Sequence, residues 1–193
     1  GIMRHTIQEV PTEPDLLQRA KRFEGKALAE IYDTFSPELY NYAYRQLGNP
    51  TQAEECVAET FKRLLEALSK GKGPRDHIRA YLYRIAHNWI TDQYRREPLP
   101  DVSLDDQMLS DPAPSPYQSV TEKMERERLR AALMKLTPNQ RQVVALKYLE
   151  GWSAPEIAQA LDRPLEAIKG LLHRGIESLR HNLLSELHEQ EAK

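Results

Sequence analysis

The chain has 193 residues, enough for one large domain or two small ones, and its formal net charge of −2 neither indicates nor excludes nucleic-acid binding. The single cysteine, Cys56, excludes an internal disulfide and a zinc site built from several thiolates. No apolar run reaches the roughly 18 residues of a membrane span, and the first residues lack the order of a signal peptide. We therefore expect a soluble, cytoplasmic protein.

Charge is segregated along the chain. Residues 62–96 contain nine Lys or Arg against three Asp or Glu, a local balance of +6. Residues 97–121 contain five acidic residues and no basic ones. The basic segment is therefore a candidate nucleic-acid-binding surface.

The first 25 residues are polar and show only a weak helical pattern. They contain Pro11 and Pro14, with apolar residues at Leu16 and Leu17. We interpret residues 1–25 as a poorly ordered N-terminal arm that ends in a turn or two of helix.

Helical periodicity becomes strong at Lys26. The Ser-Pro pair at 36–37 has the form of a cap followed by a first-turn proline. This pair predicts a break between two helices, the second of which ends at Gly48. The Asn-Pro pair at 49–50 then opens a third helix, with its apolar stripe directed inward and ending at Leu68.

A basic loop and a basic helix follow. Two glycines and a proline interrupt residues 69–77, SKGKGPRDH, so this segment cannot be helical throughout. The helix of about residues 76–96 has an apolar stripe, and its other faces interleave cations, amides and an aromatic ring, which suits phosphates and unstacked bases. A solvated basic face is an equally good interpretation. The candidate DNA-binding residues are Lys70, Lys72, Arg75, Arg79, Tyr83, Arg84, His87, Asn88, Arg95 and Arg96.

Residues 97–119 contain five prolines together with serines and acids and have no sustained periodicity. This composition is typical of a linker. The sequence therefore predicts an all-α fold, in which a flexible, proline-rich, acidic linker joins two small helical domains at 26–96 and 120–187.

The C-terminal domain contains a helix-turn-helix pattern after a charged helix at 120–135. Thr137 and Ser153 each begin a capping box, and the second box starts a helix of about two turns. Pro164 then interrupts the pattern before a longer helix at 165–181, the candidate recognition helix. An ordinary three-helix packing unit with a solvated polar face is the alternative.

Three stretches resemble a known family: NPTQAEECVAETFKRLLEAL, IRAYLYRIAHNWITDQYRR and LTPNQRQVVALKYLEGWSAPEIAQALDRPLEAIKGLLHRGIESLR. In this order, over roughly residues 26–181, the chain is similar to bacterial RNA polymerase sigma factors of the small extracytoplasmic-function (ECF) group. These proteins keep only the second and fourth conserved sigma regions. The resemblance implies an alternative sigma factor that binds core polymerase and directs initiation by reading and melting the minus-ten element and reading the minus-thirty-five element.

The resemblance also assigns roles to residues. It implies that the basic loop captures an extruded base of the minus-ten element and that the following helix opens it. The polymerase-binding residues would be Glu55, Glu59, Thr60, Phe61 and Arg63, although Phe61 suits the core better than a contact. The residues of the recognition helix that face the minus-thirty-five element would be Glu166, Lys169, Gly170, His173 and Arg174.

The chain departs from the family pattern inside the recognition helix. Leu171 and Ile176 stand where polar or basic residues are common, so either DNA contact is weaker or these side chains pack on another part of the chain. Gly170 and Gly175 each cost about 1 kcal/mol against alanine in a helix. Residues 162–181 contain four basic residues against three acidic ones, so phosphate anchoring would depend on helix ends and on Arg141 and Lys147.

Two other classes of function are alternatives to a sigma subunit. A stand-alone helix-turn-helix regulator with an N-terminal sensing domain would bind DNA tightly without polymerase. An enzyme finds little support because no paired-carboxylate or nucleophile motif stands out, and we expect no metal or cofactor. An anti-sigma factor is a further partner that the resemblance implies.

Overall fold

The structure is a computed structural model that describes residues 13–96 and 116–192. Within these ranges all regular structure is helical, which confirms the all-α prediction. No helix in the described ranges combines the length and the hydropathy needed to cross a bilayer. The helices are α1 Glu13–Lys21, α2 Gly25–Leu47, α3 Pro50–Ser69, α4 Ile78–Arg96, α5 Pro116–Met134, α6 Pro138–Val144, a π-helical turn Ala145–Leu149, α7 Ala154–Leu161 and α8 Leu165–Glu191.

Helix α1 belongs to the N-terminal domain. Its apolar residues Leu16, Leu17 and Ala20 are buried in the same core as the following helices. The prediction of a short final helix in the arm is therefore right, but that helix is packed rather than loosely attached. Residues 1–12 lie outside the described residues, as does the main part of the predicted linker, 97–115.

The predicted break at Pro37 is wrong, because α2 is one helix of 23 residues with this proline inside it. Buried Ile31, Leu39 and Tyr42 follow helical spacing on both sides of Pro37, so a continuous helix keeps all three in one core. Burial of this stripe outweighs the backbone hydrogen bond that a proline cannot donate.

Helix α3 begins as predicted. The side chain of Asn49 accepts a hydrogen bond from the backbone N–H of Gln52 at 3.1 Å, and Pro50 occupies the first turn. Helix α4 packs on α2 and α3, and its residues Ile78, Leu82 and Ile90 are buried. This packing orients α4 within the N-terminal domain.

Both predicted capping boxes are present in the C-terminal domain. Thr137 caps α6 together with Gln140, and Ser153 caps α7 together with Glu156. Asp162 ends α7 in the left-handed conformation, which makes the sharp turn into α8. Helices α7 and α8 form the predicted helix-turn-helix, and α6 supports α8 from behind.

The apolar surplus of the recognition helix packs inside the protein. Leu171 and Ile176 are half-buried against the core. Gly175 is buried where α8 crosses α6, and a Cβ added to it would lie 2.7 Å from Cγ2 of Val144. The departures from the family pattern at these positions are therefore packing features of the C-terminal domain.

The two domains lie against each other. Helix α4 contacts α7, helix α2 contacts α5, and the buried apolar side chains of both halves form one continuous cluster. Trp152, in the segment between the π-helical turn and α7, is only 6% exposed and packs on Tyr83 of α4 with ring centroids 5.0 Å apart. This interface positions the candidate DNA-binding surfaces relative to each other.

Candidate nucleic-acid and polymerase surfaces

The outer face of α8 is open to solvent. Buried Ile168 and Leu172 hold the helix to its domain, so the opposite side faces outward. Of the five residues predicted to face the minus-thirty-five element, Gly170 is half-buried and the others are exposed: Glu166, Lys169, His173 and Arg174. The structure therefore brings this set together on one accessible surface.

One ion pair and one histidine–carboxylate contact run along that face. Lys169 Nζ lies 3.6 Å from a carboxylate oxygen of Glu166, and His173 Nε2 lies 3.2 Å from one of Glu177. All four side chains are more than half exposed, so these pairs contribute little to stability. Lys169 and His173 can exchange these carboxylates for a base edge or a phosphate at small cost.

The loop between α3 and α4 presents its cations to solvent. Lys70, Lys72 and Arg75 are exposed, as predicted. Gly73 has a φ of 121°, and a Cβ added there would lie 3.2 Å from Leu68, so the backbone turns tightly over the end of α3. Pro74 is buried and anchors the loop. The result is a basic loop attached firmly at its base.

Helix α4 is only partly accessible. Arg84, Asn88, Arg95 and Arg96 are exposed. The prediction that Tyr83 and His87 lie on the surface is wrong, since they are 1% and 6% exposed. Their side chains are covered because the C-terminal domain packs on this side of the helix, which the periodicity of α4 alone could not reveal.

His87 is held in its neutral form. Burial, followed by the charge of nearby Arg141, lowers its pKa from 6.5 to about 4. Its Nδ1 atom is buried without a hydrogen-bond partner. Burial likewise raises the pKa of the Tyr83 hydroxyl. Neither side chain is available to DNA in this arrangement.

Arg79 bridges the two domains. Its Nε donates to a carboxylate oxygen of Glu38 at 2.9 Å, within the N-terminal domain. Its guanidinium also lies over the ring of Trp152, with the carbon 4.4 Å from the ring centroid. A residue predicted to contact DNA is thus engaged by an aromatic side chain of the other domain.

A cleft of about 610 Å³ lies between the domains. One wall is the predicted DNA-reading side of α4, and the opposite wall belongs to α6 and to the end of the α7–α8 turn. The lining residues include Arg84, His87, Asn88 and Arg95 on the first wall and Asn139, Gln142 and Arg163 on the second.

Arg141 does not anchor phosphate in this structure. It is 3% exposed, its Nη2 donates to the Thr91 hydroxyl at 2.9 Å, and its guanidinium carbon lies 4.3 Å from the ring centroid of Tyr94. Burial lowers its pKa and also raises that of Tyr94 to about 12. Sequence reasoning missed this role because Thr91 and Tyr94 are fifty and forty-seven residues away along the chain. Lys147, the other predicted anchor, is half-buried.

The predicted polymerase surface divides into exposed and buried residues. Glu55 is exposed, and Glu59 and Arg63 are half-buried and joined by an ion pair of 3.2 Å. Thr60 is fully buried, and its hydroxyl donates to the Cys56 carbonyl at 2.7 Å. The Thr60 side chain therefore offers no contact to a partner.

Exposed apolar side chains adjoin this surface. Phe61 is 9% exposed and packs against Tyr32 with ring centroids 4.9 Å apart, in agreement with its expected place in the core. Tyr32 itself is 49% exposed, and Leu65 is 40% exposed. Both follow the helical spacing of the apolar stripes of α2 and α3, which the sequence predicts to face inward, so sequence reasoning missed them as candidates for an interface.

No group of three or more His, Cys, Asp or Glu side chains in residues 13–96 and 116–192 is placed to hold a metal ion. The arrangement can bind nucleic acid through cations, amides and aromatic rings.

Comparison with known proteins gives the same two parts in the same order. The Sigma-70 region 2 family model matches residues 31–98, and the Sigma-70, region 4 model matches residues 126–179. The ECF RNA polymerase sigma factor BldN of Streptomyces coelicolor is 30% identical over 167 residues, 86% of this chain and 63% of BldN. This chain thus spans less than two thirds of BldN.

Two further similarities extend over nearly the whole of the other protein. The ECF RNA polymerase sigma factor SigW of Bacillus subtilis is 30% identical over 179 residues, which cover 86% of this chain and 94% of SigW. The solved structure of CnrH in complex with the cytosolic domain of CnrY matches with a TM-score of 0.63 and 25% identity. That match covers 88% of this chain and 96% of CnrH.

Proposed function

The chain belongs to the ECF RNA polymerase sigma factors, and we propose that it binds core RNA polymerase and directs promoter-specific initiation. The observation that carries this proposal is the pairing of two helical domains that match Sigma-70 regions 2 and 4 on one chain. Two modest DNA surfaces suffice on one chain, because binding of the first raises the effective concentration of the second.

The N-terminal domain is the polymerase-binding and minus-ten domain. Its α3 surface, with exposed Glu55 and half-buried Glu59 and Arg63, is the candidate contact with core polymerase. The basic loop and α4 are the candidate elements for base capture and strand separation. These roles need neither a nucleophile nor a metal, and we propose that the chain is not an enzyme.

The C-terminal domain is the minus-thirty-five domain. Its support is the accessible outer face of α8, where Lys169 and Arg174 can donate to guanine acceptors in the major groove. A stand-alone regulator would account for this helix, but it would not account for the match of residues 31–98 to Sigma-70 region 2. We therefore favour a sigma subunit over such a regulator.

The partners follow from this function. They are core polymerase, promoter DNA and an anti-sigma factor. The solved structure of the similar protein CnrH is a complex with the cytosolic domain of a second protein, CnrY, which supports a protein partner besides polymerase. The place of action would be the cytoplasm, where bacterial core polymerase works.

In vitro transcription with bacterial core polymerase tests the proposal. We expect the purified chain to produce defined run-off transcripts from fragments of its native genome that core enzyme alone does not produce. A gel shift without polymerase is the companion experiment. Tight sequence-specific binding by the chain alone, together with no initiation on any fragment, would favour the stand-alone regulator instead.

Variants of α8 test the minus-thirty-five assignment. Loss of one good base contact costs about 1–3 kcal/mol, so Arg174→Ala or Lys169→Ala should reduce transcription from a minus-thirty-five-dependent promoter roughly tenfold or more. Lys21→Ala removes the same charge from exposed α1 and is the matched control. Equal transcription from all three variants would remove α8 from the DNA interface.

A further inference from the structure

We propose that the junction between α1 and α2 extends the single-stranded DNA surface of the N-terminal domain beyond the basic loop. The DNA-contacting residues of this junction are Arg22, Phe23 and Lys26. The inference rests on the proposed function, because the strand that the junction contacts is the one that the basic loop holds at the minus-ten element. Residues 22–26 precede the segment that matches Sigma-70 region 2, residues 31–98, so that match assigns them no role.

Phe23 is an exposed aromatic residue in a backbone conformation that favours glycine. Its φ is 58°, and the residue is 46% exposed. Its N–H donates to the Ala20 carbonyl at 2.9 Å. The N–H of Glu24 donates to the Arg19 carbonyl at 3.1 Å, so α1 ends in the kind of turn that glycine ordinarily makes. A large exposed ring at such a strained position is not needed to end a helix, and it indicates a contact with a partner.

Two cations flank this ring. Arg22 and Lys26 are exposed, and within residues 13–96 and 116–192 neither of them forms an ion pair. The carboxylate between them, Glu24, accepts a hydrogen bond from Nε of Arg19 at 2.8 Å. That pairing neutralises the negative charge of the junction. Unpaired cations beside an exposed ring suit the phosphates and bases of a single strand.

The junction and the end of α3 lie at the same end of the N-terminal domain. Helices α2 and α3 are separated by two residues and pack against each other, so they run antiparallel. Tyr32 of α2 packs on Phe61 of α3 with ring centroids 4.9 Å apart, which sets their register. From this pair, Gly25 is seven residues away and Ser69 eight, about 11 Å and 12 Å at the helical rise. The start of α2 is therefore level with the end of α3.

The basic loop begins at that same end. The N–H of Gly71 donates to the Leu68 carbonyl at 3.1 Å. The N–H of Lys72 donates to the Ala67 carbonyl at 2.8 Å, so the first residues of the loop fold over α3. Lys70 and Lys72 are held there and are exposed. Two separate parts of the chain therefore bring exposed cations to one end of the domain.

Helix α4 begins at a distance from this end. Arg79, in its first turn, donates to Glu38 at 2.9 Å. Glu38 is thirteen residues from Gly25 along α2, which corresponds to about 20 Å. The loop covers that distance and carries exposed Arg75 along the way. Cations thus lead from the start of α4 through the loop to the junction, and a strand whose base is held in the loop can continue along them to Phe23.

Single-stranded DNA fits the junction better than a protein partner does. The candidate polymerase surface on α3 has mixed charge, with exposed Glu55 and a pair between Glu59 and Arg63. Within residues 22–26, by contrast, the one carboxylate is already paired. Phosphate attraction and stacking do not depend on base identity. The junction should therefore add affinity for the strand without adding sequence preference.

Paired variants separate the ring from the charges. Phe23→Gly removes the ring and does not strain the turn, because glycine adopts a positive φ freely. Phe23→Tyr keeps a ring and should retain binding. Arg22→Gln/Lys26→Gln removes two positive charges from the junction. Its matched control, Arg126→Gln/Lys135→Gln, removes two from exposed residues of α5 and of the segment after it, outside every assigned surface.

The first probe is a labelled pool of random single-stranded DNA of roughly 16 nucleotides, titrated with the full chain at several salt concentrations. Phe23→Gly should bind at least about fivefold more weakly than wild type, since a stacked base is lost. In Arg22→Gln/Lys26→Gln, the slope of log K against log salt should fall in magnitude by about 0.7 for each lost phosphate contact. Equal affinities and slopes for wild type and these variants, or no binding by wild type at low salt, would overturn the proposal.

The second probe uses the chain bound to core polymerase and a promoter mapped by in vitro transcription. Two forked DNAs carry an unpaired strand that either ends at the captured base or continues past it, away from the duplex. The longer strand should raise the affinity of wild type, and Phe23→Gly should lose most of that gain while it binds the shorter fork normally. Because each variant is compared with itself on the two forks, a folding defect does not decide the result. No gain from the longer strand, or the same gain in Phe23→Gly, counts against the junction.

Binding to core polymerase without DNA excludes the alternative partner. A fluorescently labelled chain should bind core enzyme with the same affinity in wild type, Phe23→Gly and Arg22→Gln/Lys26→Gln. A loss of core affinity in these variants as large as their loss on DNA would assign the junction to polymerase and overturn the proposal.

The proposed function fails independently of this inference. If the variants lose single-stranded DNA as expected while the wild-type chain never supports initiation, the DNA surface stands and the sigma role falls. If initiation occurs but the variants bind both probes like wild type, the junction has no part in DNA binding and the sigma role stands.

Discussion

At the scale of single residues, the two glycines of α8 have different explanations. Gly175 is buried at the crossing with α6, where an added Cβ would lie 2.7 Å from Val144. Gly170 is half-buried, and an added Cβ would meet only the end of the Arg174 side chain at 3.1 Å. The sequence predicts the same helix-propensity cost at both positions. Only at Gly175 does packing leave no room for a side chain.

Gly175→Ala should therefore destabilise the chain. Overpacking of a close helix crossing costs about 1–3 kcal/mol, which exceeds the gain of about 1 kcal/mol in helix propensity. We expect a lower midpoint of urea unfolding. Gly170→Ala is the matched control and should leave the midpoint unchanged or raise it, because the Arg174 guanidinium can move away. Stabilisation by both alanines would contradict the close-packing explanation.

Cys56 and His87 show where sequence reasoning succeeds and where it fails. Cys56 lies in the apolar helical stripe of α3, which the sequence predicts to face inward; it is fully buried, and burial raises its thiol pKa to about 12. His87 was expected on a DNA-facing surface and is buried. The difference arises because Cys56 is covered by helices of its own domain, whereas residues of the other domain help to cover His87.

At the scale of helices, Pro37 lowers the stability of α2, and burial of the apolar stripe of this helix outweighs that loss. It interrupts one backbone hydrogen bond within a continuous helix, and its own side chain is exposed. Pro37→Ala should restore that bond and raise the free energy of unfolding by about 1–2 kcal/mol, after allowance for the greater freedom of the unfolded chain. Urea or thermal unfolding measures the change.

Pro50→Ala provides the comparison within the same domain. Pro50 occupies the first turn of α3, where a backbone N–H has no partner inside the helix. This variant should give no gain in stability. An equal increase for both variants would mean that the effect comes from the unfolded chain and not from the restored hydrogen bond.

Three helix starts were predicted correctly from their caps, whereas the start predicted at Ser36 is absent because α2 continues through Pro37. The caps at Asn49, Thr137 and Ser153 were identified from sequence and are formed by local hydrogen bonds within three residues. Such contacts need no tertiary information. The continuity of α2 was not predictable, because it depends on a core that receives side chains from α1, α3 and α4.

At the scale of the whole molecule, the interface between domains makes stability depend on pH through His87. The unfolded chain binds a proton on this residue near pH 6.5, and the folded chain does so only near pH 4. Protons therefore favour the unfolded chain between these values. Stability should fall as pH falls from about 6.5 to about 4, by up to roughly 3 kcal/mol from this group.

The variant His87→Gln should remove this contribution. We expect the difference in unfolding free energy between wild type and variant to shift in favour of the variant between pH 7 and pH 5. Other groups titrate in both chains and cancel in the comparison. Parallel stability curves over this range would show that His87 is accessible to protons in the folded chain.

The sequence by itself determined the helical class, the helix caps, the candidate helix-turn-helix and the family resemblance, because periodicity, capping and short motifs act over a few residues. Only the tertiary structure decided that Arg141, Tyr83 and His87 are buried between the domains and that Leu171 and Ile176 pack inward. The physical reason is that these environments arise from residues distant in sequence. The polarity of a side chain does not tell which distant surface will cover it.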